Sequence, residues 1–250
     1  MDMPRNLFKQ ALSGSRMQVG LFLGLANPFS AEVLATCGFD FLLIDAEHGP
    51  NDVRSVQAQL QAMAAYPVQV IVRPPNHDIS LIKQLLGVGV QTLLVPMVDS
   101  AEQAKTLVSA LRYPPRGMRG VGTALERGAR WNGVERYFAL AETEMCLIVQ
   151  VESRAGIDNL DAILQVFPLD SYVEHPLNLM EVMPGDPVET PIWENYEKVI
   201  AKHDSRGGSA IGQIERFAFY EEAKKVYAII ATGESALYAN IMLQKGVVTE

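Results

Sequence analysis

Short apolar runs, rich in β-branched residues and each broken off by polar groups, set the rhythm of this chain. They begin near Val19 (VGLFLGL), Phe39 (FDFLLID), Val68 (VQVIVRP), Gln91 (QTLLVPMV) and Met145 (MCLIVQVE). Weaker runs follow near Asp170 (DSYVEH), Ser209 (SAIGQI) and Tyr227 (YAIIATG). Runs of this length bounded by turn residues predict buried strands. Helical patterns lie between them: Ser30 to Thr36, Val53 to Ala65, Ile79 to Leu86, Ala101 to Leu111 and Tyr220 to Lys225. Strands alternating with helices imply parallel pairing through right-handed βαβ units. Eight such strands predict an α/β fold of the single (β/α)₈ TIM-barrel type. The alternative, a doubly wound open sheet, lacks the GxGxxG turn that would follow its first strand. Tyr113 to Gly122 (YPPRGMRGVG) is expected to be an ordered loop, because its prolines and glycines break helix and strand alike.

Composition narrows the classes. The 250 residues are 48% hydrophobic and 20% charged, which suits one globular domain with a sizeable core. A net charge of −8 argues against a nucleic-acid partner, since phosphate binding needs a basic surface. Met1 to Gly14 holds no apolar segment of secretory type, and no stretch reaches the ~20 apolar residues a membrane span requires. Cys37 and Cys146 both adjoin apolar segments and are expected to be buried free thiols. A cytoplasmic setting follows.

The chemistry concentrates at strand ends. Leu42-Leu43-Ile44 stops at Asp45-Ala46-Glu47-His48, Val70-Ile71-Val72 at Arg73-Pro74, and Leu147-Ile148-Val149 at Gln150-Val151-Glu152. Burying a charge costs several kcal/mol unless it is paired or holds a metal, so such clusters belong at a rim. In a parallel barrel every strand C-terminus opens on one face, which would bring these residues together. Each has a bland reading: His48 as a turn residue, Arg73 as a strand-end cap, Glu152 as an ion pair with Arg154. The two carboxylates beside His48 favour the functional one. A histidine can act as general base near neutral pH. An arginine fork can hold a carboxylate or a developing enolate. Carboxylate oxygens suit a hard divalent cation. The reaction class implied is proton abstraction, or carbon–carbon cleavage, beside a carbonyl held by a metal. His77 and Asp78 read as solvated turn residues, His175 and His203 show no metal-site spacing, and Trp131 and Trp193 read as packing or interface residues.

These residues stand in longer segments: VGLFLGLANPFSAEVLATCGFDFLLIDAEHGPN, VIVRPP, IKQLL, QTLLVPMV, RYPPRGMRGVGTALERGARWN and CLIVQVESRAGIDNLDAIL. Together they cover Met17 to about Leu164 and resemble the HpcH/HpaI aldolases, metal-dependent class II pyruvate aldolases. The resemblance implies a (β/α)₈ barrel, commonly a homo-hexamer with an exchanged C-terminal helix. It implies reversible cleavage of 4-hydroxy-2-oxoacids, such as 4-hydroxy-2-oxoheptane-1,7-dioate of aromatic catabolism, to pyruvate and an aldehyde such as succinate semialdehyde. The cofactor implied is Mg²⁺, Mn²⁺ or Co²⁺. His48 matches the family's base and Arg73 its enolate-stabilising arginine, and Asp45, from its place at the strand end, is the third catalytic candidate. Gln150 matches a pyruvate-contacting glutamine, and Glu152 one of two metal-ligating carboxylates.

The chain departs from the family in two places. Gly87 follows IKQLL where an aspartate partner of the histidine is common. The second metal carboxylate belongs to a Gly-Pro-Ala-Asp-Leu-Ser motif, and the equivalent stretch here reads His175-Pro176-Leu177-Asn178-Leu179-Met180. In that register Leu177 and Asn178 take the substrate-contacting positions and Asn178 the second metal position, with His175 and Glu174 as substitute ligands. From Phe167 onward the family's wording fades, and Ala231-Thr232-Gly233-Glu234-Ser235 stands where a Val-Gly-Val-Asp strand end is usual. The strand–helix rhythm persists, so this third is expected to complete the barrel. The other reading is a barrel that keeps the scaffold and binds a 2-oxoacid without efficient catalysis.

Overall fold

The computed structural model describes residues 1–12, 18–151, 153–166, 172–174, 210–213 and 226–231. The strands are β1 (Gln18–Leu23), β2 (Phe41–Asp45), β3 (Gln69–Arg73), β4 (Thr92–Val95), β5 (Cys146–Gln150), β6 (Tyr172–Glu174), β7 (Ala210–Gln213) and β8 (Val226–Ala231). Each coincides with a run predicted from the sequence. The helices are α1 (Leu7–Leu12), α2 (Pro28–Ala35), α3 (Val53–Ala62), α4 (Ile79–Gly87), α5 (Ala101–Leu111), α6 (Tyr137–Leu140), α7 (Arg154–Asp158) and α8 (Leu160–Val166).

All strand pairs are parallel, in the order β6-β5-β4-β3-β2-β1-β8-β7. The end strands β6 and β7 lie against each other, which closes the sheet into the expected TIM barrel. The predicted helix at Tyr220 to Lys225 lies outside the described residues. Among the described residues, no helix is long and apolar enough to cross a membrane.

The pleat divides the core in two. Leu42, Ile44, Val72, Leu93, Leu147 and Val149 face outward and pack with Val56, Ile82, Leu85, Leu107 and Ile163. Alternate residues, Phe22, Phe41, Leu43, Ile71, Leu94, Cys146 and Ile148, fill the barrel interior with Phe8 and Leu12 of α1. The Phe8 and Phe41 rings meet edge-on with centroids 5.0 Å apart, so α1 plugs the N-terminal mouth. Gly20 is paired with Phe41 in register, and a Cβ there would overlap the Phe41 ring. Asn6 fixes the plug: its side-chain amide donates to Thr92 Oγ1 at 2.9 Å and its Oδ1 accepts from Lys9 N at 2.9 Å.

Helices that follow the strand C-termini start on polar caps. Asp52 and Ser55 form a capping box on α3, as do Ser100 and Gln103 on α5. Asp78, expected to be merely solvated, accepts from Leu81 N at 2.7 Å and caps α4, while His77 is exposed as expected. Both cysteines are unbridged; Cys146 is buried as expected, but Cys37 only partly.

Candidate active site

The same alternation that fills the barrel interior decides what closes its C-terminal end. Leu43, Ile71 and Ile148 point inward, and two residues on along each strand come Asp45, Arg73 and Gln150, all buried. An apolar column is thus topped by a polar layer. Asp45 and Arg73 are paired in register between β2 and β3. Arg73 Nε donates to Asp45 Oδ1 at 2.9 Å and Nη2 to Oδ2 at 2.7 Å, a two-pronged buried contact. The guanidinium also lies over the Phe22 ring, 5.0 Å from its centroid. The carboxylate expected in the arginine fork is therefore first an internal one.

The turn after β2 wraps around Asp45. Its Oδ1 accepts from the backbone N–H groups of Glu47 (3.0 Å) and His48 (3.3 Å). Asn51 Nδ2 donates to the carbonyls of Asp45 (2.7 Å) and Leu23 (3.2 Å), and Asn51 Oδ1 accepts from Gln59 Nε2 at 2.7 Å. Asn51 thus ties the turn to β1 and α3, a role sequence reasoning missed; an asparagine directly ahead of an Asp52 cap was the available signal. Burial raises the Asp45 carboxyl, but the hydrogen bonds and charge of Arg73, helped by the two backbone donors, outweigh it and hold the pKa below the ordinary value.

Glu47 behaves oppositely. Burial, the largest influence, and the charge of Asp45 raise its pKa, and the charges of Arg73 and His48 offset that rise only in part. Its Oε2 lies 3.1 Å from Arg73 Nη1 and 3.6 Å from His48 Nε2. That atom is buried and ion-paired with Arg73 but accepts no hydrogen bond of good geometry among the described residues, and Gln150 Oε1 has no partner among them either. His48 sits at the lip of the mouth with a side chain 66% exposed, beside Glu47 rather than against Asp45.

Asp45, Glu47, His48 and Arg73 therefore converge, and Gln150 joins their layer from β5. Glu152, Leu177 and Asn178 lie outside the described residues, as does His175. Glu174 is the last residue of β6, paired in register with Gln150. Among the described residues no three His, Cys, Asp or Glu side chains form a metal cage. The donor character still fits a hard cation, because in this layer the buried atoms without a hydrogen-bond partner among the described residues, Glu47 Oε2 and Gln150 Oε1, are both oxygens.

Gly87 ends α4 and leads into β4, which sets it at the N-terminal end of the barrel, away from His48 of the same chain. A Cβ there would meet Glu126 Cγ at 3.3 Å. Glu126 lies four residues beyond the predicted Tyr113–Gly122 loop, and together they fold around a buried arginine. Arg119 Nη2 donates to Tyr137 Oη at 3.0 Å and lies 3.7 Å from Glu126 Oε2, and its guanidinium lies 4.6 Å from the Tyr113 ring centroid.

Residues 18–183 match the model of the HpcH/HpaI aldolase/citrate lyase family. A hydroxypyruvate/pyruvate aldolase of Deinococcus radiodurans is 60% identical over 179 residues, 72% of this chain, and the match spans 65% of that protein's length. A 4-hydroxy-2-oxo-heptane-1,7-dioate aldolase of Salmonella typhimurium is 49% identical over 205 residues, covering 81% of this chain and 78% of its own. The crystal structure of a protein of the same family from Burkholderia cenocepacia superposes with a TM-score of 0.85 at 30% identity, over 98% of this chain and 100% of that one. A second similarity begins inside the first: residues 138–248 match the RbsD / FucU transport protein family.

Proposed function

Because the chain belongs to the HpcH/HpaI aldolase/citrate lyase family, we propose that its polar layer cleaves 4-hydroxy-2-oxoacids reversibly to pyruvate and an aldehyde. The observation that carries this reading is the Asp45–Arg73–Glu47–His48 constellation, set over the barrel interior with unsatisfied oxygens on Glu47 and Gln150.

In this reading the exposed imidazole of His48 takes the proton from the C4 hydroxyl. The C3–C4 bond then breaks, its electron pair moves into a C2–C3 enolate, and the C4 fragment leaves as an aldehyde. The Arg73 guanidinium, aimed by Asp45, offsets charge on the enolate oxygen. Protonation at C3 completes pyruvate. Gln150 orients the 2-oxoacid from the β5 side. Glu152, with Asn178 from the last third, would hold a Mg²⁺, Mn²⁺ or Co²⁺ ion. That ion, when bound, supplies Lewis-acid polarisation of the 2-oxo group. The family resemblance also supports a homo-hexamer, and Leu125, Val121 and Trp131 stand exposed on the loop region as apolar surface for such contacts.

The RbsD / FucU similarity favours a second reading in which the scaffold binds a 2-oxoacid with little turnover, because it covers the stretch that should carry the second metal ligand. Incubating the full chain with a 4-hydroxy-2-oxoacid, with and without each of the three cations, separates the two. Metal-dependent pyruvate release supports the aldolase. Saturable 2-oxoacid binding without release supports the second reading and sinks the first.

A further inference from the structure

The residues flanking Glu152 are pinned from a neighbouring loop. On one side, Val98 N donates to the Gln150 carbonyl at 3.0 Å, which ties the end of β5 to the segment after β4. On the other, Ser153 Oγ accepts from Gly156 N at 3.0 Å inside the first turn of α7, and its proton goes to Asp99 Oδ1 in a short hydrogen bond. Asp99 is itself held at both ends of its peptide unit. Its N–H donates to Gln103 Oε1 at 2.7 Å, and its carbonyl accepts from Asn159 Nδ2 at 2.9 Å. The fit leaves no spare room: a Cβ on Gly156 would meet Val151 Cγ1 at 2.9 Å and Asp99 Oδ1 at 3.2 Å. The β4–α5 connection is thereby tied to Gln150 and to Ser153, the described residues that precede and follow position 152 in the sequence.

We propose that Asp99 and Ser153 are positioning residues for metal binding, fixing the backbone on either side of Glu152 so that its carboxylate is presented to the cation. The proposal rests on Glu152 being a metal ligand, as in the function proposed above. A carboxylate on an unpinned turn would lose rotational freedom on binding, and that cost would subtract from affinity. On this proposal the ties at Gln150 and Ser153 meet part of that cost during folding.

Mn²⁺ titration calorimetry on the full chain tests this without relying on turnover, with thermal unfolding of each metal-free variant alongside. Asp99→Ala and Ser153→Ala should each weaken Mn²⁺ binding by about 10- to 100-fold, the range for residues that orient metal ligands. Ser153→Thr, which keeps the hydroxyl, should bind close to wild type, and Asp99→Asn, which keeps an acceptor, should lie between. These last two keep the test informative if an alanine variant fails to fold. Wild-type affinity in Ser153→Ala and Asp99→Asn, with only a lower melting temperature, overturns the positioning role. Glu152→Gln is the reference. If it binds Mn²⁺ as the wild type does, the ligand assignment itself falls; if it alone loses binding, the assignment stands and the positioning role falls.

Discussion

At the scale of the residue, Asp45 and Arg73 behave as one unit. Asp45→Asn would take from the buried guanidinium its two-pronged carboxylate partner and leave Glu47 beside it among the described residues. The cost should be about 3 kcal/mol at pH 7, the low end for breaking a buried pair. The folded pKa of Asp45 lies below the ordinary 3.8, so its contribution is present above about pH 4 and lost as pH falls through the folded value. Chemical unfolding from pH 7 to pH 2 should therefore show a shallower loss of stability in Asp45→Asn than in wild type. Turnover tests the neighbours. His48→Ala should lower the rate of pyruvate release by ~10²–10⁴, the usual share of a general base. Arg73→Lys should also be damaging, because an ammonium cannot grip Asp45 at two points; wild-type rates in either variant would remove that residue from the mechanism. The positions of these side chains were legible as a parity: 43 and 45, 71 and 73, 148 and 150 share a face in any strand. That the fork closes on Asp45 was not legible, since it depends on the β2–β3 register.

Among the elements, the central strands were readable because each is an unbroken apolar run between turn residues. The first helix was not. Leu7–Leu12 spans six residues, too few for a helical period to stand out, and its apolar positions Phe8 and Leu12 gain meaning only from the barrel mouth they fill. Phe8→Ala would empty a site packed against Phe41 and should destabilise the protein by about 3–5 kcal/mol. Thermal unfolding measures this, and a variant as stable as wild type would show that α1 lies over the mouth without sealing it. The loop region likewise gave its turns away through Pro and Gly but hid its centre. A guanidinium among two tyrosines and a glutamate cannot be told from a surface arginine by spacing alone.

Across the whole molecule, the chain reads in two voices. The aldolase wording runs almost continuously from Met17 to about Leu164, and β6, β7 and β8 then continue the barrel in a stretch where a second family's pattern also matches. Barrel rhythm persists through that stretch because apolar spacing sets it, whereas ligand identity rests on single residues, of which Asn178 is the one to test. Asn178→Asp tests the aldolase register directly: if Asn178 holds the ligand position, Mn²⁺ affinity and pyruvate release should both rise at least ~10-fold. Equal affinity and rate would place the second ligand elsewhere. Finally, the barrel's filling carries a clock of its own. Cys146 sits in the sealed interior at 1% exposure, while Cys37 is half-buried outside it. A thiol reagent should label Cys37 first and reach Cys146 only when the strands part. The lag between the two labelling steps, followed by mass spectrometry, would record how often the closed cylinder breathes under native conditions. A Cys146 that reacts as fast as Cys37 would mean that the cylinder stands ajar.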